Sequence, residues 1–548
     1  MNPLIKELSK KIAHAIAAAG YEVPLEAELV RPSDRPDLSD FQSNVSMGIV
    51  KSARKNPAEI ASAIAAALVE GASAAGGFIN IKVAPALVEK LVNKLDDRLG
   101  TPLTKKPETI VIDFAQPNVA KAMHAGHFRG AIIGETLKNL ALFMGHKVIG
   151  DHHLGDWGLP MGMLIAAIKE KQIKMPIDVD TLNKLYPESS ARAKEDKEFY
   201  ARAAAETKKL QDGDKETRAI WKSFTETSKK DMKTLLARLG IDMSPGNPDL
   251  WLGESDADPF VQKLLADKSF TKHLKLDDGA QVIRLDDYPM NGSPVPPFIA
   301  IKSNGAVMYG MTDMGTMFDR IKNMKADRIW YLTDSRQTLH FHQIFHVAEI
   351  VGLKGKTELA FLSHGSLMGK DGKPFKTRSG AVALLEDFLN EVEEKAGSRQ
   401  IALSAIKFAD MINPITSDYI FDPEKFLSFE GKTGPYVLYT AVRIKSLLEK
   451  APKPGAIHLT NEYDKKLAIL LLGFADAAVR AFELKSPHIF VQYIYDLAVA
   501  YNAFYHKCNI AAEADKATAA SWTALSKITL QALEMFAKII SVEIPERM

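Results

Sequence analysis

Residues 111–130 read VIDFAQPNVAKAMHAGHFRG, and the fold follows from this stretch. The apolar run at residues 111–114 predicts a short buried strand, which Pro117 interrupts because proline lacks a backbone N–H. From Gly126 onward the pattern is helical. The stretch therefore predicts a strand that leads through a short turn into a helix.

Two histidines stand where the strand leads into the helix. His124 and His127 lie on either side of Gly126. The start of a helix offers free N–H groups, imidazoles donate hydrogen bonds to phosphate, and the glycine lets a flat base or a ribose approach the backbone. These features predict a site for a nucleoside triphosphate. The alternative interpretation is a plain helix start with two satisfied polar side chains.

A second candidate element, LMGKDGKPFKTRSG, covers residues 367–380. Its Asp-Gly pair at residues 371–372 is a turn signal, so the segment is predicted to be a loop. The loop carries four cations, namely Lys370, Lys373, Lys376 and Arg378. A solvated loop tip is one interpretation, but apolar runs flank the loop on both sides. A cationic loop near a helix N-terminus suits the stabilisation of charge on a transferred phosphate group.

Together the two elements resemble the paired signatures of class I aminoacyl-tRNA synthetases, and the wider sequence resembles the arginyl-tRNA synthetases among them. The segments that carry this resemblance extend along the chain: AQPNVAK at 115–121, HLGDWG at 153–158, LQDGD at 210–214, Tyr309 with Thr312-Asp313, DSRQ at 334–337, FKTRSG at 375–380, TGPY at 433–436 and ERM at 546–548.

The pattern of strands and helices changes along the chain. The first region has helical periodicity at residues 4–19 and 58–68, with strand-like runs at residues 41–50 and 78–83. From about residue 108 strand and helix patterns alternate, which favours a parallel sheet. The strand patterns resume at residues 298–301 and 328–332 after a charged, turn-rich stretch, and helical patterns prevail beyond about residue 401.

With the resemblance, these patterns predict a multidomain α/β protein. Residues 1–104 are expected to form an N-terminal α+β appended domain that touches the tRNA elbow, although a plain α+β module fits the same pattern. Residues 105–400 are expected to form a Rossmann-type parallel-sheet catalytic domain with an insertion at about 169–297. Residues 401–548 are expected to form an all-α anticodon-binding domain.

Composition sets limits on function. A chain of 548 residues needs several domains, since single cores stop growing at about 250–300 residues. The net charge of +2 means that any nucleic-acid contact depends on local basic faces. The single cysteine, Cys508, argues against a disulfide framework and a zinc site built from several cysteines. No run reaches the roughly 18 apolar residues of a membrane span, and the N-terminus lacks a signal-peptide pattern, so a cytoplasmic enzyme is expected.

Recognition of arginine requires particular chemistry. A guanidinium is planar with a fixed fork of donors, so it calls for carboxylates held at matching geometry. Asp113 ends the first strand and Asp313 follows Tyr309 and Thr312, although either could be a helix cap or half of a surface pair. Such a site would reject lysine, whose ammonium lacks the fork. The resemblance implies arginine contacts at Asp113, Asn118, His127, Tyr309, Asp313 and Gln337.

Ala115, Gln116 and Arg378 depart from the usual signature pattern, and the arginyl-tRNA synthetases commonly share the departure at Arg378. Ala115 and Gln116 stand where many relatives carry serine, which would rearrange neighbouring hydrogen bonds. Arg378 stands where the second signature usually has its second lysine. In the family a lysine before the first signature is thought to compensate, and Lys121 fits that role; the alternative is a solvent-facing residue of an exposed turn.

The resemblance implies a two-step reaction. The arginine carboxylate attacks the α-phosphate of ATP and pyrophosphate leaves; the terminal ribose hydroxyl of the tRNA then attacks the arginyl-adenylate. The expected catalytic residues are Lys121, His124, His127, Lys373, Lys376 and Arg378. The expected ATP-binding residues are His124, Gly126, His127, Lys370 and Lys376. Mg²⁺ is expected to accompany the ATP phosphates, with no zinc bound by the protein, and the chain is expected to act as a monomer on L-arginine, ATP and the tRNA for arginine.

The helical C-terminal part contains a candidate tRNA surface. Tyr436 and Tyr439 are three residues apart on one predicted helical face, with Arg443 beyond them. Aromatic rings stack on unpaired anticodon bases and cations meet the RNA backbone. A core pair is the alternative for the tyrosines, but the resemblance favours the anticodon and adds Met548. The aromatic residues at 493, 495, 501, 504 and 505 are interpreted as a core stripe.

Three other functions compete with this interpretation. A nucleotidylyltransferase would share the histidine motif, but such enzymes are shorter and need no helical tRNA module. A catalytically dead tRNA-binding relative should have lost the histidines or the cationic loop, and both are present. A cysteine-specific synthetase should carry metal-binding cysteines, which the single cysteine does not allow.

Overall fold

The structure is a computed structural model that describes residues 2–24, 29–68, 71–124, 126–242, 247–369, 372–373 and 384–548. Across these ranges, no helix combines the length and the apolar character needed to cross a membrane.

A small antiparallel sheet packed with helices forms the N-terminal region. The strands are β1 (Arg31–Pro32), β2 (Phe41–Ser43), β3 (Ala72–Ala75) and β4 (Phe78–Ile81), in the order β1–β2–β4–β3. The helices are α1 (Pro3–Ala18), α2 (Val45–Ala53), α3 (Pro57–Ala67) and α4 (Pro85–Val92). The strand predicted at residues 41–50 is wrong beyond Ser43. Val45 and Ile49 are both buried one turn apart, and this spacing is that of a helix face rather than of a strand.

The N-terminal region docks onto the helical C-terminal part of the chain. Asp40 accepts a hydrogen bond from Lys465 Nζ at 2.8 Å. Asn93 exchanges two hydrogen bonds with the backbone of Ile457, at 2.7 and 2.8 Å. These contacts join the two ends of the chain.

A four-stranded parallel sheet forms the centre of the molecule. Its strands are β5 (Thr109–Asp113), β6 (Lys147–Asp151), β10 (Arg328–Asp334) and β11 (Glu358–His364), and its order is β11–β10–β5–β6. Strand β6, the next strand of this sheet along the chain, lies on one side of β5. Strand β10, which comes later, lies on the other side of β5. In open α/β sheets ligands bind beyond the carboxyl ends of the strands at such a reversal. A site is therefore expected between the ends of β5 and β10.

Helices and a second sheet surround this centre. The helices are α5 (His127–Phe143), α6 (Leu159–Glu170), α7 (Val179–Glu195), α8 (Lys197–Asp212), α9 (Lys215–Arg238), α10 (Glu254–Ala266), α11 (Lys268–Thr271), α12 (Tyr309–Lys322), α13 (Thr338–Ile350) and α14 (Leu385–Ala396), with a 3₁₀ turn at Ser335–Gln337. The antiparallel sheet consists of β7 (Lys275–Asp277), β8 (Ala280–Ile283) and β9 (Phe298–Ile301).

Strand β9 does not belong to the parallel sheet, so the expectation that the sheet resumes at residues 298–301 is wrong. Phe298 and Ala300 are buried while Ile299 is exposed. This alternation is typical of an antiparallel sheet covered on one face, whereas a strand buried on both faces, such as β10, has a continuous apolar run. Residues 328–332 do resume the parallel sheet as part of β10.

The C-terminal part is almost entirely helical. Its helices are α15 (Arg399–Met411), α16 (Pro423–Phe426), α17 (Gly434–Leu448), α18 (Glu462–Leu471), α19 (Phe474–Glu483), α20 (Pro487–Lys507) and α21 (Lys516–Ile539). A two-residue strand, β13 (Tyr419–Ile420), pairs in parallel with β12 (Leu367–Met368). Helix α5 packs against both the sheet and these C-terminal helices, which explains why it is buried nearly all round.

Candidate active site

The first predicted signature lies at the reversal of the parallel sheet. Strand β5 ends at Asp113, and α5 begins at His127 with Gly126 as its N-cap residue. A Cβ atom added to Gly126 would stand 2.9 Å from Nδ1 of His124, so glycine is needed for the ring to lie against the backbone here. The strand, turn and helix predicted from residues 111–130 are confirmed.

Backbone hydrogen bonds fix the orientation of both histidine rings. The N–H of Gly126 donates to Nδ1 of His124 at 3.1 Å, and the N–H of His124 donates to Nδ1 of His127 at 3.0 Å. Because Nδ1 accepts in each ring, a neutral ring carries its proton on Nε2. The ring centroids are 3.8 Å apart, so the pair forms one compact unit.

Burial keeps both rings neutral. It lowers the pKa of His127 to about 3, with further lowering by His124 and Lys121. Burial also lowers the pKa of His124, and the charges of Lys121 and Arg336 act in the same direction. The pair can therefore donate two Nε2–H groups to a phosphate without a permanent charge of its own. Arg336, which follows β10, is a nearby cation that sequence reasoning did not assign.

The residues that follow the second signature contact the first. Leu384 forms a bridge with His124, and the N–H of Leu385 donates to the carbonyl of Met123 at 2.8 Å. At the other end, Gly369 donates to the carbonyl of Lys373 at 2.7 Å. Lys373 and Lys121 are both exposed. The predicted site residues Lys370, Lys376 and Arg378 lie outside the described residues.

The turn between β5 and α5 has unusual backbone geometry. Ala115, Gln116 and Ala120 have positive φ angles of 66°, 23° and 59°. A residue other than glycine is destabilised by about 1–3 kcal/mol in such a conformation, and residues strained in this way cluster at functional sites. Gln116, one of the positions that depart from the usual signature pattern, donates from Nε2 to Oδ1 of Asp113 at 2.8 Å.

Asp113 is buried and already paired with a cation of the chain. Its Oδ2 lies 2.7 Å from Nη1 of Arg320, whose Nη2 lies 2.6 Å from Oδ2 of Asp151. Arg320 is fully buried, and the two carboxylates raise its pKa against the opposing effect of burial. The charge of Asp113 is therefore shared with a permanent guanidinium of the protein.

Asp313 is surrounded differently. Its Oδ2 lies 2.7 Å from Nε2 of His340, and a quarter of its side chain is exposed. Tyr309 lies one turn before it on α12 and is 57 % exposed, with its ring stacked on His340 at a centroid distance of 4.7 Å. Burial and the charge of Asp313 raise the pKa of Tyr309.

Glu254, at the start of α10, is a residue that sequence reasoning missed. Burial, together with the nearby carboxylates of Asp313 and Asp156, raises its pKa to about 8. Asp156, from the predicted HLGDWG segment, accepts hydrogen bonds from Ser255 N at 2.9 Å and Ser255 Oγ at 2.7 Å. Two carboxylates thus lie close enough to Glu254 to raise its pKa, and a bound cation would stabilise this concentration of negative charge. We refer to Asp156, Glu254 and Asp313 as the acidic pocket.

The remaining predicted arginine contacts are at strand ends. Asn118 is exposed and bridges to Gly155, which follows β6. Gln337 is exposed at the end of the 3₁₀ turn after β10. Both lie at the carboxyl edge of the sheet, Asn118 in the turn that leads to the histidine pair and Gln337 between β10 and α13. Among the described residues, no group of three or more histidine, cysteine or acidic side chains is arranged to hold a metal ion.

The four predicted tRNA-binding residues line one groove in the helical part. Its volume is about 760 Å³. It is lined by Phe429, Glu430, Tyr436, Tyr439, Arg443, Val499, Asn502, Ala503, His506 and Met548. The guanidinium of Arg443 lies 4.8 Å from the ring centroid of Tyr439 and donates to Oδ1 of Asn502 at 2.5 Å. The structure therefore brings an aromatic, a cationic and a C-terminal residue to one surface.

The aromatic stripe on α20 is largely core, as predicted. Tyr501 and Phe504 are fully buried, and the hydroxyl of Tyr501 donates to Ser526 at 3.2 Å. Tyr505 differs, since its ring lies 5.0 Å from the guanidinium of Arg443 at the edge of the groove.

Comparison with protein families gives matches along most of the chain. Residues 88–423 match the family described as tRNA synthetases class I (R), catalytic domain. Residues 437–548 match the DALR anticodon binding domain, and residues 6–83 match the arginyl tRNA synthetase N terminal domain.

Individual relatives are similar over their whole length. The chain is 36% identical over 597 residues to an arginine–tRNA ligase of Alkaliphilus oremlandii, covering 100% of both chains. It is 37% identical to one from Francisella tularensis subsp. novicida, covering 99% of both. Among solved structures, the fold resembles arginyl-tRNA synthetases from Plasmodium falciparum (TM-score 0.83, 24% identity) and Thermus thermophilus (TM-score 0.79, 21% identity), each with 100% of both chains covered.

Proposed function

The chain belongs to the arginyl-tRNA synthetase family and so attaches L-arginine to tRNA with ATP in two steps, and we propose how its own residues divide this work. The observation that best supports the division is the reversal of the parallel sheet. At its carboxyl edge a neutral histidine pair, a surrounding set of cations and the acidic pocket occur together.

The histidine pair is proposed to bind ATP. Nε2–H groups of His124 and His127 donate to phosphate oxygens, and the helix start at Gly126 adds backbone N–H groups. Lys121 and the signature loop, with Lys370, Lys373, Lys376 and Arg378, supply the positive charge. ATP enters as its Mg²⁺ complex, in which the cation travels on the phosphates.

The acidic pocket is proposed to bind the arginine side chain. Glu254 lies near enough to Asp313 to feel its charge, and neither is paired with a lysine or arginine in the described part of the chain. They offer two carboxylates to one fork of donors, and Tyr309 lies beside them. The pocket therefore fits a guanidinium better than a single ammonium.

Asp113 is proposed to have a different task from the one that the sequence suggested. Because Arg320 already shares its charge, its carboxylate is a weaker partner for a second guanidinium. We assign Asp113, Asn118 and Gln337 to the ammonium and carboxylate of the amino acid, near the phosphate side. The amino acid then spans from the histidine pair to the acidic pocket.

The first chemical step follows from this placement. The arginine carboxylate oxygen attacks the α-phosphorus in line, the bond from that phosphorus to the bridging oxygen breaks, and pyrophosphate leaves. His124 and His127 stabilise the charge that develops on the phosphate oxygens. In the second step the ribose hydroxyl of the tRNA attacks the carbonyl carbon of the arginyl-adenylate and AMP leaves.

The groove of the helical part is proposed to bind the anticodon. Tyr436 and Tyr439 would stack on unpaired bases, Arg443 would contact the RNA, and Met548 would close one side of the groove.

We further propose domains at residues 1–104, 105–400 and 401–548, with an insertion at about 169–297. A monomer in the cytoplasm fits this division, since one chain supplies both the active site and the groove and its tRNA substrate is used there.

Pyrophosphate exchange tests the assignment. The purified enzyme is assayed with each amino acid, with and without the tRNA for arginine, and only arginine should support exchange. Substitution of Asp313 by Asn should raise the KM for arginine and leave the KM for ATP close to its original value. An unchanged KM for arginine in D313N would remove the acidic pocket from the proposal.

A further inference from the structure

His340 contacts both Asp313 of the acidic pocket and Tyr309, which lies beside that pocket. It lies in the first turn of α13, with its side chain 11% exposed. Its Nε2 is 2.7 Å from Oδ2 of Asp313. An ionised carboxylate can only accept a hydrogen bond, so Nε2 carries the proton and donates it.

The same imidazole also supports Tyr309. The two rings are stacked, with centroids 4.7 Å apart and planes inclined by 26°. The other neighbour is Phe341, whose ring meets the imidazole edge-on at 5.4 Å. Because Tyr309 and Asp313 are one helical turn apart on α12, a single side chain of α13 holds both in place.

The kind of donor matters for the charge of the pocket. Arg320 orients Asp113 with a permanent positive charge, which weakens the attraction of that carboxylate for a second cation. An imidazole can orient a carboxylate by a hydrogen bond without a permanent charge. Asp313 thereby keeps its capacity to bind an incoming cation.

We propose that His340 is a positioning residue for arginine recognition, which fixes the Asp313 carboxylate and the Tyr309 ring so that they meet a guanidinium in one orientation. This inference rests on the proposed assignment of Asp313 to the arginine side chain. A fixed carboxylate matters more for a fork of donors than for a point charge, since both oxygens must match the fork.

Two substitutions separate the two contacts. H340F keeps an aromatic ring beneath Tyr309 but removes the donor to Asp313, whereas H340Q keeps a donor and removes the ring. His342 lies on the same helix and bonds to the carbonyl of Tyr288 at 2.9 Å, so H342F is a matched control for loss of a histidine from α13. All variants are compared by melting temperature and by pyrophosphate exchange with tRNA present.

H340F should raise the KM for arginine by roughly 10- to 100-fold, the effect of losing a hydrogen bond to a charged group. Its kcat and its KM for ATP should stay close to the unsubstituted enzyme, and H340Q should recover most of the lost affinity. H342F should leave the KM for arginine unchanged.

An unchanged KM for arginine in H340F would overturn the inference, as would equal losses in H340F, H340Q and H342F. If H340F lowers the melting temperature too far for kinetics, H340L takes its place, because leucine also removes the donor to Asp313, and H342L becomes its matched control. The D313N variant separates this inference from the proposed pocket. A raised KM in D313N with no effect in H340F would overturn only the role of His340, whereas no effect in D313N would overturn both.

Discussion

Lowering the pH from 8 to 6 should weaken the binding of L-arginine by about 50-fold, because Glu254 must be ionised to bind a guanidinium. Burial and two neighbouring carboxylates raise the pKa of Glu254 to about 8. Below that pH the free enzyme therefore holds a proton on Glu254, whereas the guanidinium of arginine stays charged throughout the range. Arginine must displace this proton when it binds.

The sign and size of the effect follow from the raised pKa. A bound cation favours the ionised carboxylate, so binding lowers the pKa of Glu254 and releases a proton. Between pH 8 and pH 6 the ionised fraction of Glu254 in the free enzyme falls from about one half to about one hundredth, which costs about 2.3 kcal/mol of binding free energy. Above pH 8 the affinity should level off.

Calorimetric titration with arginine alone measures both quantities. Titrations in buffers of different ionisation enthalpy give the number of protons released, which should be about 0.9 at pH 7 and about 0.1 at pH 9. The E254Q variant, which keeps the shape and removes the titrating group, serves as the control. It should bind arginine more weakly at pH 9 and lose the proton release seen at pH 7. Equal proton release by both proteins at pH 7 would refute the reasoning, as would an affinity that is constant between pH 6 and 9.

Four further predictions concern specificity, the phosphate site and the tRNA. The enzyme should charge arginine and reject lysine and citrulline, and charging of lysine with a comparable kcat/KM would contradict the two-carboxylate pocket. Alanine at His124 or His127 should slow adenylate formation by about 10²–10³-fold in single-turnover assays and spare tRNA affinity, so a parallel loss of tRNA binding would indicate a structural role. Pyrophosphate exchange should be negligible without tRNA, as the resemblance to the arginyl-tRNA synthetases implies, and robust exchange without tRNA would contradict this coupling. Tyr436→Ala should weaken tRNA binding by roughly 1–3 kcal/mol of lost stacking, which a filter-binding titration would measure.

Features that depend on neighbours in the sequence could be predicted before the structure was seen. The strand and helix around residues 111–130 follow from an apolar run, a proline and a glycine within a few residues of one another. Tyr436, Tyr439 and Arg443 could be placed on one surface because helical spacing alone brings them together. The predictions from periodicity were wrong where two kinds of structure share one pattern of apolar residues. Residues 45–53 suit either a strand or a helix, and residues 298–301 suit a strand of either sheet.

The charge state of the site was decided by tertiary structure alone. No sequence pattern near Asp113 predicts that Arg320 lies against it. None near Glu254 predicts that two further carboxylates lie close enough to raise its pKa. These groups come from separate segments that meet only when the sheet and the helices pack. The ionisation of a carboxylate depends on its burial and on the charges that face it, and both are properties of the folded chain. The sequence by itself predicted the histidine pair and the carboxylates of Asp113 and Asp313, whereas packing added Glu254 and paired Asp113 with Arg320.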